Sequence, residues 1–159
     1  MAYLIDGNNL LGFLFPQNIR NPENRSDLIG QLLKFQVVKR TRVHLVFDGP
    51  PDPNLEEFVK TMDHFHVYFP DFGQQADHVI KKIILKVTDR RRYYVISSDR
   101  EIRDFARTEG LQVLTCPEFS RELKKAKRDY TKIREEGKED ITLSRLEVDQ
   151  WHDLFEKNR

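Results

Sequence analysis

Four aspartates, Asp6, Asp48, Asp77 and Asp99, stand where apolar, strand-like runs give way to a turn or a helix start. The contexts are Tyr3-Leu4-Ile5-Asp6-Gly7-Asn8-Asn9, Leu45-Val46-Phe47-Asp48-Gly49, Gln75-Ala76-Asp77-His78-Val79-Ile80 and Val95-Ile96-Ser97-Ser98-Asp99. Carboxylate oxygens suit a hard divalent cation, Mg²⁺ or Mn²⁺, whereas zinc favours histidine and cysteine ligands that are not clustered in this chain. Several carboxylates in one pocket repel one another, and a divalent ion relieves that repulsion.

Such a cage needs elements that gather distant positions. Three of the four aspartates follow β-branched or aromatic runs of a length typical of buried parallel strands. In open α/β sheets ligands bind beyond the carboxyl ends of the strands, so Asp6, Asp48 and Asp99 are expected to converge there. A loop through Pro16 follows the first strand, and Asn21-Pro22-Glu23 then offers an N-cap, a first-turn proline and an early acid for a helix carrying Leu28, Leu32 and Phe35. Strands are expected at residues 42–47, 64–69, 93–96 and 111–114, with a short helix at 55–62. Ile80, Ile83, Ile84 and Val87 follow the i, i+3, i+4, i+7 pattern of a helix packed on a sheet, which places Asp77 at its amino-terminal end, aimed toward the sheet. Ser98 and Glu101 have capping-box spacing, making Asp99 a first-turn acid of the next helix, which Gly110 ends. The β-α alternation implies a mostly parallel sheet with helices on both faces.

Residues 118–140 are strongly charged, and Leu143, Ser144, Glu147 and Val148 read as a capping box with a hydrophobic staple; Val148, Trp151 and Phe155 line one face of a last helix. The expected organisation is a domain over residues 1–115 and a charged helical extension over 116–159 that docks back on it.

The chain has 159 residues, enough for one domain with its own core. Lysine plus arginine (27) nearly balance aspartate plus glutamate (26), so net charge points to no partner. Local charge does. Residues 81–107 hold nine basic side chains against four acids, an excess that can steer a polyanion toward a carboxylate-lined site. From this cluster Lys81, Lys82, Arg100 and Arg103 are the expected contacts for such a polyanion. A single cysteine, Cys116, excludes an intramolecular disulfide and a cysteine-rich zinc site. With no membrane-length apolar run, the chain is expected to be cytoplasmic and to have no membrane partner.

The four motifs, in this order, resemble those of the YacP-like branch of the NYN domains, within the PIN-like nuclease superfamily. The likeness spans about residues 2–115, and the tail with Trp151 and Phe155 is similar to that branch's last helix. It implies a three-layer α/β sandwich and an Mg²⁺- or Mn²⁺-dependent endoribonuclease acting on single-stranded RNA, in some relatives messenger RNA at the ribosome. Asp6, Asp48, Asp77 and Asp99 would form the acidic set, with Asp6, Asp77 and Asp99 as metal ligands. Asp48 would bind the ion or orient a water, and Asn9 would position metal water or phosphate. Such an ion activates a water for in-line attack and leaves a 5′-phosphate and a 3′-hydroxyl. Asn8 stands where many relatives have tyrosine, and His78 and Lys81 where relatives often carry acids. The thinner third motif keeps open a second reading, an RNA- or ribosome-binding module with weak cleavage; a phosphatase of small monoesters is a third.

Three further features have competing readings. His64 and His66 would share a strand face, without a third metal ligand. Phe13, Phe15 and Phe72 lie in expected loops and would either stack on unpaired bases or pack in the core. Asp71-Phe72-Gly73 matches a kinase tripeptide without the accompanying kinase motifs, and no nucleotide-binding P-loop is present.

Overall fold

The computed structural model describes residues 1–17, 21–137 and 142–157, without the side chains of 142–145 and 155–157. The expected staple at Leu143 and the contribution of Phe155 to the last helix lie outside the described residues. Five strands, β1 Ala2–Asp6, β2 Arg42–Val46, β3 Phe65–Tyr68, β4 Tyr93–Ile96 and β5 Gln112–Leu114, form one parallel sheet in the order β3-β2-β1-β4-β5. Every residue of β1 is buried, as expected of a central strand covered on both faces.

The helices are α1 Gly7–Leu14, α2 Pro22–Lys39, α3 Pro53–Val59, α4 Ala76–Lys86, α5 Arg100–Thr108, α6 Cys116–Glu136 and α7 Thr142–Lys157, with a 3₁₀ turn at Arg90–Arg92. Strand alternation divides the core. Tyr3, Ile5, Leu45, Phe47 and Phe65 face one layer with Leu28 and Leu32 of α2, Phe119 and Leu123 of α6 and Trp151 of α7. Leu4, Val46 and Val95 face the other, against Ile80 and Ile84 of α4 and Ile102 and Ala106 of α5. The charged segment after β5 is therefore amphipathic, and Trp151 ties α7 to α2 by donating from Nε1 to the Ser26 carbonyl at 3.0 Å. No helix among the described residues is long and apolar enough to cross a membrane.

Two local expectations are corrected. The segment after β1 is the helix α1, not a loop. Asp6 caps it by accepting from the Asn9 backbone N–H at 3.3 Å, and Leu10 and Leu11 are buried beneath it. Gly7-Asn8-Asn9 has turn chemistry locally, but packing overrides it: a Cβ on Gly7 would lie 2.6 Å from Phe47 Cδ1 and 2.7 Å from the Val46 carbonyl oxygen. The second correction concerns α5. Its N-cap is Asp99, in extended conformation, rather than Ser98, so Asp99 precedes the first turn instead of belonging to it.

Candidate active site

The chain runs from β1 through β2 to β3 on one side of the sheet, then returns to β4 and β5 on the other. The reversal lies between β1 and β4, where the carboxyl ends of adjacent strands open a crevice. Asp6 closes β1 there, and Ser97 and Asp99 follow β4. Ser97, fully buried, donates from Oγ to Asp6 Oδ2 at 3.2 Å and accepts from the Asp99 backbone N–H at 3.0 Å. Asp99 Oδ1 accepts from the backbone of Glu101 at 2.8 Å and of Ile102 at 3.2 Å.

The adjacent asparagines fasten the neighbouring loops to α1. Asn8 Oδ1 accepts from the Asp48 backbone N–H at 3.0 Å. Asn9 Oδ1 accepts from the Ser98 backbone at 2.7 Å and from the Cys116 thiol at 3.0 Å. Asp48 in turn supplies the cap that α4 lacks: Gln75 makes no side-chain cap, and Asp48 Oδ1 accepts from the Ala76 N–H at 2.7 Å. Asp77 occupies the first turn of α4 and is half-buried. The inward position belongs to Ala76, so Asp77 sits at the rim rather than dry beneath the helix.

Electrostatics link the four acids. Burial, then the charges of Asp77 and Asp48, push Asp6 up to about 6, against the hydrogen bonds from Asn9 and Ser97. Burial, then Asp99 and Asp48, raise Asp77. Lys81 Nζ bonds Glu101 Oε1 at 2.5 Å, which with the charges of Glu101, Asp77 and Asp99 pushes the ammonium up. This cation from α4 therefore lies beside the acids and offsets part of their charge. Asp77, His78, Lys81 and Glu101 line an open hollow of about 480 Å³ with Gly73 and Gln74.

The other basic candidates divide. Lys82 and Arg100 are exposed, Arg100 with a loose 3.8 Å pair to Asp104. Arg103 is half-buried; its Nε lacks a partner among the described residues and its charge acts on Cys116, so it faces the Asn9 corner rather than open solvent. Phe72 is fully exposed next to the hollow, Phe13 lies on α1 and is 44% exposed, and Phe15 packs against the core. His64 precedes β3 and pairs with Glu147 at 2.8 Å, while His66 stacks on His44, so the two histidines form no metal pair.

The donors are hard oxygens whose mutual repulsion a divalent ion would relieve, which fits Mg²⁺ or Mn²⁺ in chemistry. Among the described residues no three His, Cys, Asp or Glu side chains are grouped closely enough to enclose an ion.

A family model described as the YacP-like NYN domain matches residues 3–157. The chain belongs to this family. The match includes α6 and α7. Two solved structures share the fold. A crystal structure of Rae1 (YacP) from Bacillus subtilis, in a tryptophan-to-leucine variant, has a TM-score of 0.69 at 21% identity, covering 92% of this chain and 91% of that one. Another crystal structure of Rae1 (YacP) from Bacillus subtilis has a TM-score of 0.66 at 22% identity, covering 97% and 94%. No curated protein matches the chain. The YacP-like NYN domain is nuclease-like, and its acids here are held by Ser97, Asn8 and Asn9. Ser97 is recognisable in the sequence only as part of the motif after β4, because nothing in its spacing announces a bond to Asp6. The bonds of Asn8 to the Asp48 backbone and of Cys116 to Asn9 likewise have no sequence signal.

Proposed function

We propose that this YacP-like NYN domain is an endoribonuclease that hydrolyses phosphodiester bonds of single-stranded RNA with the help of Mg²⁺ or Mn²⁺. The observation that carries the reading is the Ser97 bridge: one buried hydroxyl bonds Asp6 and the backbone of Asp99, drawing the ends of β1 and β4 together beside Asp77 and Asp48. Asp6, Asp77 and Asp99 would hold the ion, directly or through its waters. When bound it supplies a nucleophilic water and neutralises developing charge. Asp48 positions Asp77 by capping its helix, and Asn9 holds the loop that bears Asp99. Lys82 and Arg100 face solvent where they can meet phosphates, Lys81 lines the hollow beside the acids, Arg103 would reach a phosphate only from the Asn9 corner, and exposed Phe72 offers a ring to an unpaired base. In this reading the substrate is messenger RNA, free or presented by the ribosome, and the place of action is the cytoplasm; the membership of the YacP-like NYN family supports it.

Cleavage of a labelled RNA with Mg²⁺ or Mn²⁺ tests this. Wild type should yield fragments with 5′-phosphate ends, and Asp77→Asn should lose about two orders of magnitude in rate. The second reading, an RNA-binding module with little cleavage, is favoured by the Lys81–Glu101 pair beside the acids. Metal-independent RNA binding with no cleavage under either ion would select it.

A further inference from the structure

A second groove lies away from the aspartates. It has a volume of about 1100 Å³ and lies at the opposite, amino-terminal edge of the sheet, on the face that α4 covers only in part. Four basic side chains line it: Arg40 after α2, Arg42 at the start of β2, Lys86 at the end of α4 and Arg92 before β4. All four are exposed, and none forms an ion pair with a carboxylate among the described residues. Asp89 is the acid on the lining. Unpaired cations from four separate elements repel one another, and their convergence is offset when an anion binds.

The floor is aromatic. His44 lies nearly parallel to Tyr93, with centroids 5.9 Å apart, and to Tyr68 at 5.9 Å. His66 continues the row at 5.1 Å. His44 Nδ1 bonds the Tyr68 hydroxyl at 2.9 Å, which leaves Nε2 for another partner. Burial, then His66 and Arg42, lower His44 to about 4, so it is a neutral hydrogen-bonding ring at physiological pH.

We propose that this groove is a second, non-catalytic RNA-binding site, in which Arg40, Arg42, Lys86 and Arg92 take phosphates of a single strand while the His44–Tyr68–Tyr93 row meets a base. Cations flanking a ring platform are the combination by which proteins hold single-stranded nucleic acid. The choice of RNA rests on the nuclease reading above; the groove itself does not. Only the length of β1 separates Ala2 at the groove from Asp6 at the acids, about 13 Å at 3.3 Å per residue, so both sites can engage one molecule.

The test is fluorescence anisotropy of a short labelled oligouridylate with the full chain in EDTA, which suppresses metal-dependent cleavage. The double variant Arg42→Gln/Arg92→Gln should bind about tenfold more weakly, with a salt slope shallower by about 0.7 for each phosphate left without its arginine. Lys86→Gln should weaken binding less, in the same direction, and the His44 imidazole resonances of wild type should shift on RNA addition. Unchanged affinity and slope in the double variant, or equal competition by a polyglutamate peptide or inorganic phosphate, overturns the proposal. The two readings fail separately: a wild type that binds through these arginines but never cleaves sinks the nuclease and keeps the groove, whereas intact cleavage with arginine-independent binding does the reverse.

Discussion

Asp48 Oδ1 accepts the backbone N–H of Ala76 at 2.7 Å, so a carboxylate at the end of β2 caps a helix that begins 28 residues later. This bond makes Asp48 a positioning residue for Asp77. Asp48→Ala should cost about 1–2 kcal/mol, since a cap is lost and the Ala76 N–H is left without its acceptor. Asp48→Asn keeps the acceptor and should stay within about 0.5 kcal/mol of wild type in urea unfolding, because the two residues cap equally well. Cleavage should fall in both. Equal stability of the alanine and asparagine variants would show that the bond does not hold α4.

The buried Asp6 sets a pH dependence. Its carboxyl is raised from 3.8 to about 6, so the native state binds this proton more tightly than the unfolded chain. The native state is therefore favoured below 3.8 and loses that advantage as pH rises through about 6, a deficit on the order of 3 kcal/mol at neutral pH. Asp6→Asn retains an N-cap for α1 and removes the charge. It should stabilise the metal-free protein at neutral pH by about 1–3 kcal/mol and flatten the stability profile across that window, while abolishing metal-dependent cleavage. An unchanged profile would show that Asp6 is not the group responsible.

Divalent ions should act in the opposite sense. An ion bound beside Asp6 and Asp77 competes with protons, so Mn²⁺ at about a hundredfold over its dissociation constant should add about 2.7 kcal/mol at neutral pH and clearly less in mild acid. EDTA should reverse the gain, and Asp77→Asn should remove most of it. Thermal denaturation with and without Mn²⁺ reads this directly, and a gain that ignores pH would place the ion elsewhere.

Gly7→Ala should destabilise by about 1–3 kcal/mol, because the new methyl meets the Phe47 ring and the Val46 carbonyl at the end of β2. Urea unfolding measures it. A neutral or stabilising outcome would mean that α1 can shift freely against the sheet.

Most of the sheet is legible in the sequence because each strand is an apolar run closed by a polar residue, and β4 falls on the expected residues 93–96. The convergence of Asp6, Asp48 and Asp99 at one edge follows from parallel strands alone. What escapes sequence reasoning is decided by tertiary packing. Gly7-Asn8-Asn9 looks like a turn until the burial of Leu10 and Leu11 makes it helical. The capping of α5 by Asp99 rather than Ser98 depends on which residue the end of β4 leaves extended, and Ser98 is instead engaged through its N–H by Asn9. The cap of α4 comes from Asp48, which no local pattern could reveal. The basic groove escapes too, since nothing in the chain announces that Arg40 and Arg42 meet Lys86 and Arg92 of the 81–107 cluster.

The Ser97–Asp6 bond spans 91 positions, and Asn9 waits for Cys116, 107 positions away. A growing polypeptide therefore exposes its first acid long before the ribosome has delivered the hydroxyl and thiol that steady this corner. The corner around Asp6 and Asn9 can therefore close only after α6 has begun to be made, which places its assembly late in synthesis.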